Sequence, residues 1–423
     1  MSLRKNTIWN LAGSGLPLIA AATFIPYVLR QLGSEAFGVL TLIWALIGYF
    51  SLFDLGVGRA LTYEMSKLRA ANTPAEISPT LKAGLLLTAA AGMLGMLTML
   101  LLAPSLAQNW LKISLPWQPD AQLAFQIAAA GVVATTITSG LRGALEGLER
   151  FAESNLSKIF LGFCMFVLPA LSVWLHGPTL WIIALYLVGA RVIVMLGSAL
   201  LLRIHLVGSG AHLAFRYIKP LMSYGVWVTV TGVVGPLMVY GDRFFVSATV
   251  GAAQLPLYAI PQEGLQRLLL IPAALCGALL PQLAALQSSD IKNVYRRNYK
   301  RVTIIMLGMC ALAAAFSYPI LAIWLSPEFA KKALPIALIL VIGIWLNAMA
   351  QVPYTLLHAR GSPKITALFH ICELVFYIVA LYYLTAQMGL AGAALAWVLR
   401  MLLDLILLHV AANQIIRQTN EKC

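Results

Sequence analysis

Long apolar stretches alternate with short polar segments along the whole chain. Each apolar stretch is long enough for a helix to cross a hydrocarbon core of ~30 Å, which takes ~20 residues. The runs are continuous, whereas the strands of a membrane barrel would alternate apolar and polar positions. We predict about twelve transmembrane helices, at residues 7–29, 38–61, 83–106, 121–142, 152–175, 179–202, 221–247, 255–280, 302–324, 333–357, 365–385 and 389–412.

The composition agrees with an all-α polytopic membrane protein. Hydrophobic residues make up 61% of the chain and charged residues 10%, whereas a soluble domain has about 25% charged residues. The predicted spans leave no room for a soluble domain, and the chain has no GxxxxGK[ST] loop and no exposed nucleophile with its partners. We therefore expect neither an enzyme nor a nucleotide cofactor.

Lysine and arginine are concentrated in every second loop. The termini and loops that we assign to the cytoplasm hold twenty of them, and the alternate loops hold four, namely Arg30, Lys112, Lys331 and Lys332. This asymmetry predicts that both termini are cytoplasmic. It also explains the net charge of +14 without nucleic acid. The run from Lys292 to Arg301 is in addition suited to anionic lipid headgroups.

Cysteines and histidines show no metal-ligand spacing. Four of the five cysteines lie inside predicted spans, and the six histidines are scattered without an adjacent carboxylate cluster. We predict no metal and no disulfide framework. Arg4 and Lys5 precede an apolar stretch without a small-residue cleavage site, so we interpret that stretch as an uncleaved first span.

An internal repeat relates the two halves of the chain. Residues 32–40 (LGSEAFGVL) align with residues 250–258 (VGAAQLPLY), 218 residues later. Six spans separate the copies, so both halves have the same orientation in the membrane. Helix-bending residues also recur at similar depth, with Pro17 in the first span and Gly235 and Pro236 in the seventh.

Apart from Arg142, Glu153 and Lys158 near the cytoplasmic ends of their spans, ten charged residues lie inside predicted spans, where each one costs at least ~2.5–3.5 kcal/mol unless it faces a cavity, a partner or a ligand. The basic ones are Arg59, Arg191, Arg243, Arg267 and Arg400, and the acidic ones are Asp54, Asp242, Glu263, Glu373 and Asp404. Glu263 with Arg267, and Arg400 with Asp404, are four residues apart and can pair on one helix face. Arg59 and Arg191 have no such partner.

Three of the acids are candidates for carrying a coupling ion. Asp54, Asp242 and Glu373 have no lysine or arginine three or four positions away, and a carboxyl group in a poorly solvated site can exchange a proton near neutral pH. A structural ion pair with an arginine of a neighbouring helix is the alternative for each of them.

Several motifs together resemble one transporter family. They are residues 10–17, residues 32–38 (LGSEAFG), residues 53–60 (FDLGVGRA), residues 240–243 (YGDR), Pro281, and residues 389–394 (GLAGAA). The chain is similar, over essentially its whole length, to the Wzx-type polysaccharide flippases. These belong to the multidrug/oligosaccharidyl-lipid/polysaccharide (MOP) exporter superfamily, which also contains the MATE drug exporters.

The resemblance implies a fold of two pseudo-symmetric six-helix bundles, which we place at residues 1–205 and 221–423 with a cytoplasmic linker at 206–220. It implies transport of an undecaprenyl-pyrophosphate-linked oligosaccharide across the bacterial inner membrane. The expected partners are membrane lipids, and a polysaccharide polymerase and a chain-length regulator are further candidates. Arginine binds phosphate oxygens in a bidentate way, so the five intramembrane arginines are the candidate substrate-binding residues. No cofactor is expected beyond a coupling proton or sodium ion.

Two other functions fit the same pattern. A proton- or sodium-coupled multidrug exporter would have the same architecture, and the equal numbers of intramembrane arginines and carboxylates leave it open. A membrane scaffold without transport is the third alternative. Unpaired arginines in a cavity favour the flippase, unpaired carboxylates favour the drug exporter, and a closed apolar bundle favours the scaffold.

The predicted topology can be tested by labelling single cysteines. In a background without native cysteines, a cysteine replacing Lys331 should react with a membrane-impermeant reagent from the periplasm, and one replacing Arg297 only from the cytoplasm. The reverse pattern would contradict the orientation derived from the positive charges.

Overall fold

In a computed structural model, the described part of the chain is almost entirely helical. The structure describes residues 3–50, 54, 56–203, 215–285, 288–360 and 363–421. Within these ranges, the side chains at 3–15, 47–50, 215–216, 223–236, 239, 278, 281, 284–285, 288–290, 363–364 and 419–421 are outside the description.

Twelve α-helices are assigned within these ranges. They are α1 Leu3–Phe50, α2 Val57–Ala70, α3 Pro74–Ser105, α4 Gln118–Gly147, α5 Phe151–His176, α6 Leu180–Leu201, α7 Phe215–Val250, α8 Leu255–Gln266, α9 Leu270–Ala285, α10 Ser288–Trp324, α11 Pro327–Ala359 and α12 Pro363–Glu421. The all-α prediction is confirmed.

The predicted spans fall on these helices, although one helix does not always equal one span. α1 contains the first span and most of the second, and α12 contains the last two, with a single non-helical glycine inside each helix. α8 and α9 form the eighth span around a 3₁₀ turn, Arg267–Leu269. Eight described helices, α1, α3 to α6 and α10 to α12, are long and apolar enough to cross a membrane.

The second predicted span differs from the structure at its inner end. We expected one helix over 38–61, but α1 ends at Phe50 and α2 begins at Val57. Gly56 adopts a left-handed conformation with φ of 69°, which glycine adopts at little cost. Arg59 is therefore the third residue of a separate helix.

The repeat predicted from the sequence has a counterpart in the backbone. Gly33 (φ 76°, ψ 169°) and Gly251 (φ 106°, ψ 152°) hold equivalent positions and similar conformations, which are essentially restricted to glycine. Gly177 and Gly389, which follow the fifth and eleventh spans, also have positive φ. The chain thus has a glycine with positive φ at equivalent connections of each half.

The described chain separates into two compact units, Met1–Phe244 and Phe245–Cys423. The division that we predicted, with bundles at 1–205 and 221–423, stays a prediction. Residues 206–214 of the predicted linker lie outside the described residues.

In the first unit, α4 packs against α2, α3 and α6, and α1 packs against α5. Small residues allow the close approach of α2 to α4. Gly143 lies against the backbone carbonyl of Gly58, and Gly147 lies against Met65 and the carbonyl of Thr62, so neither position has room for a Cβ atom. Such small-residue contacts are typical of helix packing in membranes.

In the second unit, α11 is the central helix and packs against α8, α9, α10 and α12. Its first turn is capped by Ser326, whose hydroxyl accepts a hydrogen bond from the Phe329 N–H at 3.1 Å. Of the described single-span helices, only α4 and α11 are more than half buried. They are the fourth and tenth spans, which are equivalent in the repeat.

Two carboxylates tie the connections of the first unit together. Glu35 accepts hydrogen bonds from the Ser114 N–H at 2.6 Å and from the Ser114 hydroxyl at 2.9 Å. Asp120, in the first turn of α4, accepts from the N–H groups of Leu180 and Trp181 at 2.8 and 3.0 Å. Asp120 therefore caps the start of α6 from another helix, satisfying amides that have no partner within their own helix.

We expect Gly143→Ala to destabilise the first unit, because the added methyl group would meet the Gly58 carbonyl. Overpacking of this kind costs ~1–3 kcal/mol, so the purified protein should melt at a lower temperature. Gly189→Ala is the matched control, since no atom lies within 4 Å of the methyl group that it adds. Equal melting temperatures for the two variants would contradict the close contact of α2 with α4.

Candidate functional site

The break between α1 and α2 is stabilised by Asp54. Its carboxylate accepts a hydrogen bond from the Gly56 N–H at 2.9 Å and another from the Ser139 hydroxyl of α4. An amide released from a helix inside a membrane needs a partner within the protein. Asp54 supplies this partner, which gives it a structural role beside the ion-carrying role that its sequence position suggested.

A row of charges continues from Asp54 along α4 to α5. Arg142 interacts electrostatically with both Asp54 and Glu146. Glu146 in turn accepts hydrogen bonds from the Ser154 hydroxyl at 2.6 Å and from Lys158 Nζ at 2.8 Å. From the sequence, Arg142 and Lys158 were only two of the twenty basic residues that predict cytoplasmic loops. The four-residue spacing of Arg142 and Glu146 was the signal that would have placed them on one helix face.

Arg59 is exposed in the first turn of α2. It makes no ion pair or hydrogen bond within the described part of the chain, and the glycine contact of Gly58 with Gly143 fixes the turn that carries it. The guanidinium of Arg59 is thus available to an anionic ligand.

Arg191 is buried in α6, with 8% of its surface exposed. Its Nη1 donates to the carbonyl of Leu187, one turn earlier in the same helix. No carboxylate pairs with it in the described part of the chain, and Cys164 of α5 lies nearby. A buried guanidinium without a counter-charge is costly, so this position fits an anionic ligand.

Asp242 and Arg243 are both buried near the end of α7, with 1% and 2% of their surfaces exposed. The Arg243 guanidinium lies over the ring of Tyr240, 5.3 Å from its centroid. Asp242 Oδ1 and Arg243 Nε lack hydrogen-bond partners, although both side chains have other interactions. These two residues therefore form a buried polar site on a single helix.

The second unit contains a buried group of ionisable side chains on the two segments of α12. Arg400 Nε lies 3.7 Å from Glu373 Oε2, and the Arg400 guanidinium also lies over the ring of Tyr377. Glu373 is completely buried, and neither of its carboxylate oxygens accepts a hydrogen bond. Asp404 and His370 complete the group, which we call the α12 cluster.

Sequence spacing explained the pairing of two arginines only in part. The predicted pair of Glu263 with Arg267 is present at 3.4 Å, in an exposed position. Arg400 was expected to pair with Asp404, one turn away, but its ion pair is with Glu373 of the preceding segment. The kink at Gly389 separates the two segments that carry these residues.

The α12 cluster also has the donor set of a cation site. One ligand atom each of His370, Glu373 and Asp404 lies within 4.8 Å of the others. His370 could have been recognised from its three-residue spacing to Glu373, whereas Asp404 lies beyond the kink at Gly389, where spacing does not relate it to Glu373. Arg400 supplies a permanent positive charge beside the same carboxylate, so the cluster suits proton exchange between two carboxyl groups better than it suits a resident metal ion.

The helix-bending candidates are described to different extents. Pro17 of α1 packs against Gly162 of α5, where an added Cβ would lie 2.9 Å from the proline ring. Gly235 and Pro236 lie in the part of α7 whose side chains are outside the described residues, and their backbone belongs to one helix.

Comparison with known proteins identifies the family. The family described as "Polysaccharide biosynthesis protein" matches residues 3–287. The chain belongs to this polysaccharide biosynthesis family. A protein of Shigella flexneri named "Putative O-antigen transporter" is 34% identical to it over 413 residues, covering 97% of each chain. The resemblance to the polysaccharide flippases of the MOP exporter superfamily is confirmed.

Solved structures of this superfamily have the same fold. An inward-facing MATE family multidrug transporter matches with a TM-score of 0.76 and 14% identity, over 100% of this chain and 96% of that one. The lipid II flippase MurJ, in an inward closed conformation, matches with a TM-score of 0.74 and 12% identity, over 96% and 87%. At these identities the similarity shows the fold, which is that of a multi-pass membrane protein.

Proposed function

We propose that this member of the polysaccharide biosynthesis family moves an undecaprenyl-pyrophosphate-linked oligosaccharide from the cytoplasmic to the periplasmic leaflet of the bacterial inner membrane. Its two units would alternate between inward-open and outward-open states, with both termini in the cytoplasm. The cargo has an anionic head, a polar glycan and a lipid tail. The protein then needs a cationic site within the membrane and no bond-breaking chemistry.

The buried guanidinium of Arg191 is the observation that carries this proposal. It lies inside a membrane-spanning helix, and no carboxylate pairs with it in the described part of the chain. A pyrophosphate would supply the missing negative charge and accept two parallel hydrogen bonds from the planar guanidinium. A cationic drug would instead be repelled by this position, which favours the flippase over the multidrug exporter.

The other arginines contact the cargo at different stages in the same proposal. Exposed Arg59 makes the first contact with the phosphates, and Arg243 provides a further contact within the membrane. Arg267 and Arg400 are balanced by Glu263 and Glu373, so they contribute to cargo binding only when these pairs open. A polysaccharide polymerase and a chain-length regulator would receive the glycan on the periplasmic side.

We propose a cation gradient as the energy source, with the α12 cluster as the place where the ion acts. Two adjoining carboxyl groups, Glu373 and Asp404, can share one proton, and Arg400 can pair with whichever group is ionised. Asp242 remains a second candidate, because its carboxyl group is buried within α7, with 1% of its surface exposed. Asp54 is the weakest candidate, since its oxygens already hold Gly56 and Ser139.

The cargo site can be tested by replacing arginines in a strain that lacks the gene. Arg191→Gln should reduce surface glycan at least tenfold at matched expression, because a charged hydrogen bond contributes ~1.5–3 kcal/mol. Arg191→Lys should restore only part of it, since an ammonium group lacks the planar fork. Arg267→Gln is the matched control and should have a smaller effect, because Glu263 already balances Arg267. Full glycan display by Arg191→Gln would refute the role of Arg191.

The coupling proposal can be tested in liposomes that contain the purified protein and lipid-linked substrate. Wild-type transport should accelerate when a pH or sodium gradient is imposed. Glu373→Gln should transport without responding to the gradient, whereas Asp54→Asn should still respond, because its amide oxygen can accept the hydrogen bond from Gly56 and its amide nitrogen can donate one to the Ser139 oxygen.

Asp242→Asn in the same assay shows whether that residue shares the role. Wild-type transport that is indifferent to both gradients would contradict the coupling proposal and leave the cargo assignment intact.

A further inference from the structure

The first turns of α10 present a strongly basic surface. Lys292, Arg296, Arg297, Lys300 and Arg301 are all exposed, and we call them the α10 basic surface. At 100° per residue their side chains occupy one half of the helix circumference. The opposite face holds buried Ile291, Tyr295, Val302 and Met306. Charge and burial are therefore completely separated around this helix.

None of these five residues is neutralised within the described part of the chain. No ion pair or hydrogen bond involves their side chains. In the first unit, by contrast, two basic residues near the ends of helices are paired, Arg69 with Glu149 and Arg150 with Glu153. Positive charge in a loop is enough to set the orientation of the helices, whether or not carboxylates lie beside it. The absence of paired carboxylates on the described side chains of α10 is therefore not explained by topology alone.

The buried face holds the surface in a fixed position. Tyr295 stacks on Tyr299 with ring centroids 5.9 Å apart, and its hydroxyl lies 3.2 Å from Nδ1 of His409 on α12. Trp345 of α11 donates a hydrogen bond from Nε1 to the carbonyl of Thr303 at 3.2 Å. These contacts fix α10 at the level of its basic turns and keep the charged half facing outward.

The length of α10 places the basic turns at the membrane surface. From Arg301 to the end of the helix at Trp324, the rise of 1.5 Å per residue gives about 35 Å, and the hydrocarbon core is ~30 Å thick. If Trp324 lies at one boundary of the core, the five basic residues lie at the opposite headgroup layer and just beyond it. Phosphate groups of lipids occupy the same level.

We infer that the α10 basic surface is a binding site for the phosphate headgroups of anionic membrane phospholipids, separate from any cargo site. An anionic headgroup layer complements five unpaired cations that share one face of the helix at the membrane surface. The site holds the second unit at a defined level and recruits anionic lipid around it. This inference does not depend on the transported substrate.

The test is native mass spectrometry of the purified full chain titrated with phosphatidylglycerol or with phosphatidylethanolamine. Wild-type protein should retain phosphatidylglycerol preferentially. Replacing all five residues with glutamine should weaken its retention at least tenfold, since one basic residue near an anionic surface contributes about fivefold. The double variant K292Q/R296Q should show a smaller loss and provides the comparison if the fivefold variant inserts poorly.

A charge-preserving variant, K292R/R296K/R297K/K300R/R301K, is the matched control and should bind phosphatidylglycerol like the wild type. Equal retention by the glutamine variants and the wild type would overturn the inference. In the second arm of the experiment, the protein in neutral vesicles of phosphatidylethanolamine is titrated with undecaprenyl pyrophosphate. Tighter retention of that lipid than of phosphatidylglycerol, through the same five residues, would assign the surface to the cargo and also overturn the inference.

Discussion

Backbone amides have no water to bond inside the hydrocarbon layer, and this constraint determines where the chain can depart from a helix. The described backbone departs from helical geometry inside the membrane region in few ways. It turns at single glycines with positive φ, and it breaks once between α1 and α2, where Asp54 accepts the Gly56 amide. The Ser139 hydroxyl and the charges of Arg142 and Glu146 then follow from the need to hold Asp54 in place.

The same constraint separates two kinds of intramembrane charge. Glu146 and Lys158 form an ion pair that joins α4 to α5, and Arg142 of α4 carries a positive charge that acts on both Asp54 and Glu146. Arg191 has no such neighbour in the described part of the chain. A charge that is paired within the protein stabilises the protein, whereas one that lacks a protein partner gains from a ligand. Among the candidate cargo-binding arginines, the presence or absence of a carboxylate partner is therefore a better guide to cargo binding than depth in the membrane is.

Much of the fold could be predicted because apolar length and positive charge report directly on membrane helices. The repeat around Gly33 and Gly251 was visible for the same reason, since loop motifs between apolar runs align easily. The break at Asp54 was not predicted, because residues 53–60 are apolar enough to extend a helix. Only part of the α12 cluster could be predicted from the sequence. Spacing within one helix relates Arg400 to Asp404, but it carries no information about Glu373 and His370, which the kink at Gly389 separates from them in the chain.

The two copies of the repeat have diverged at the position of Glu35. In the first copy, the Glu35 carboxylate holds both the amide and the hydroxyl of Ser114, whereas the equivalent residue of the second copy is Ala253, which has no side-chain acceptor. The Ser114 amide must break a bond to a carboxylate before it can exchange its hydrogen with solvent, and such local opening has its own free energy. The two turns thus share a glycine geometry, but only the first has a carboxylate that must release an amide before the turn can open.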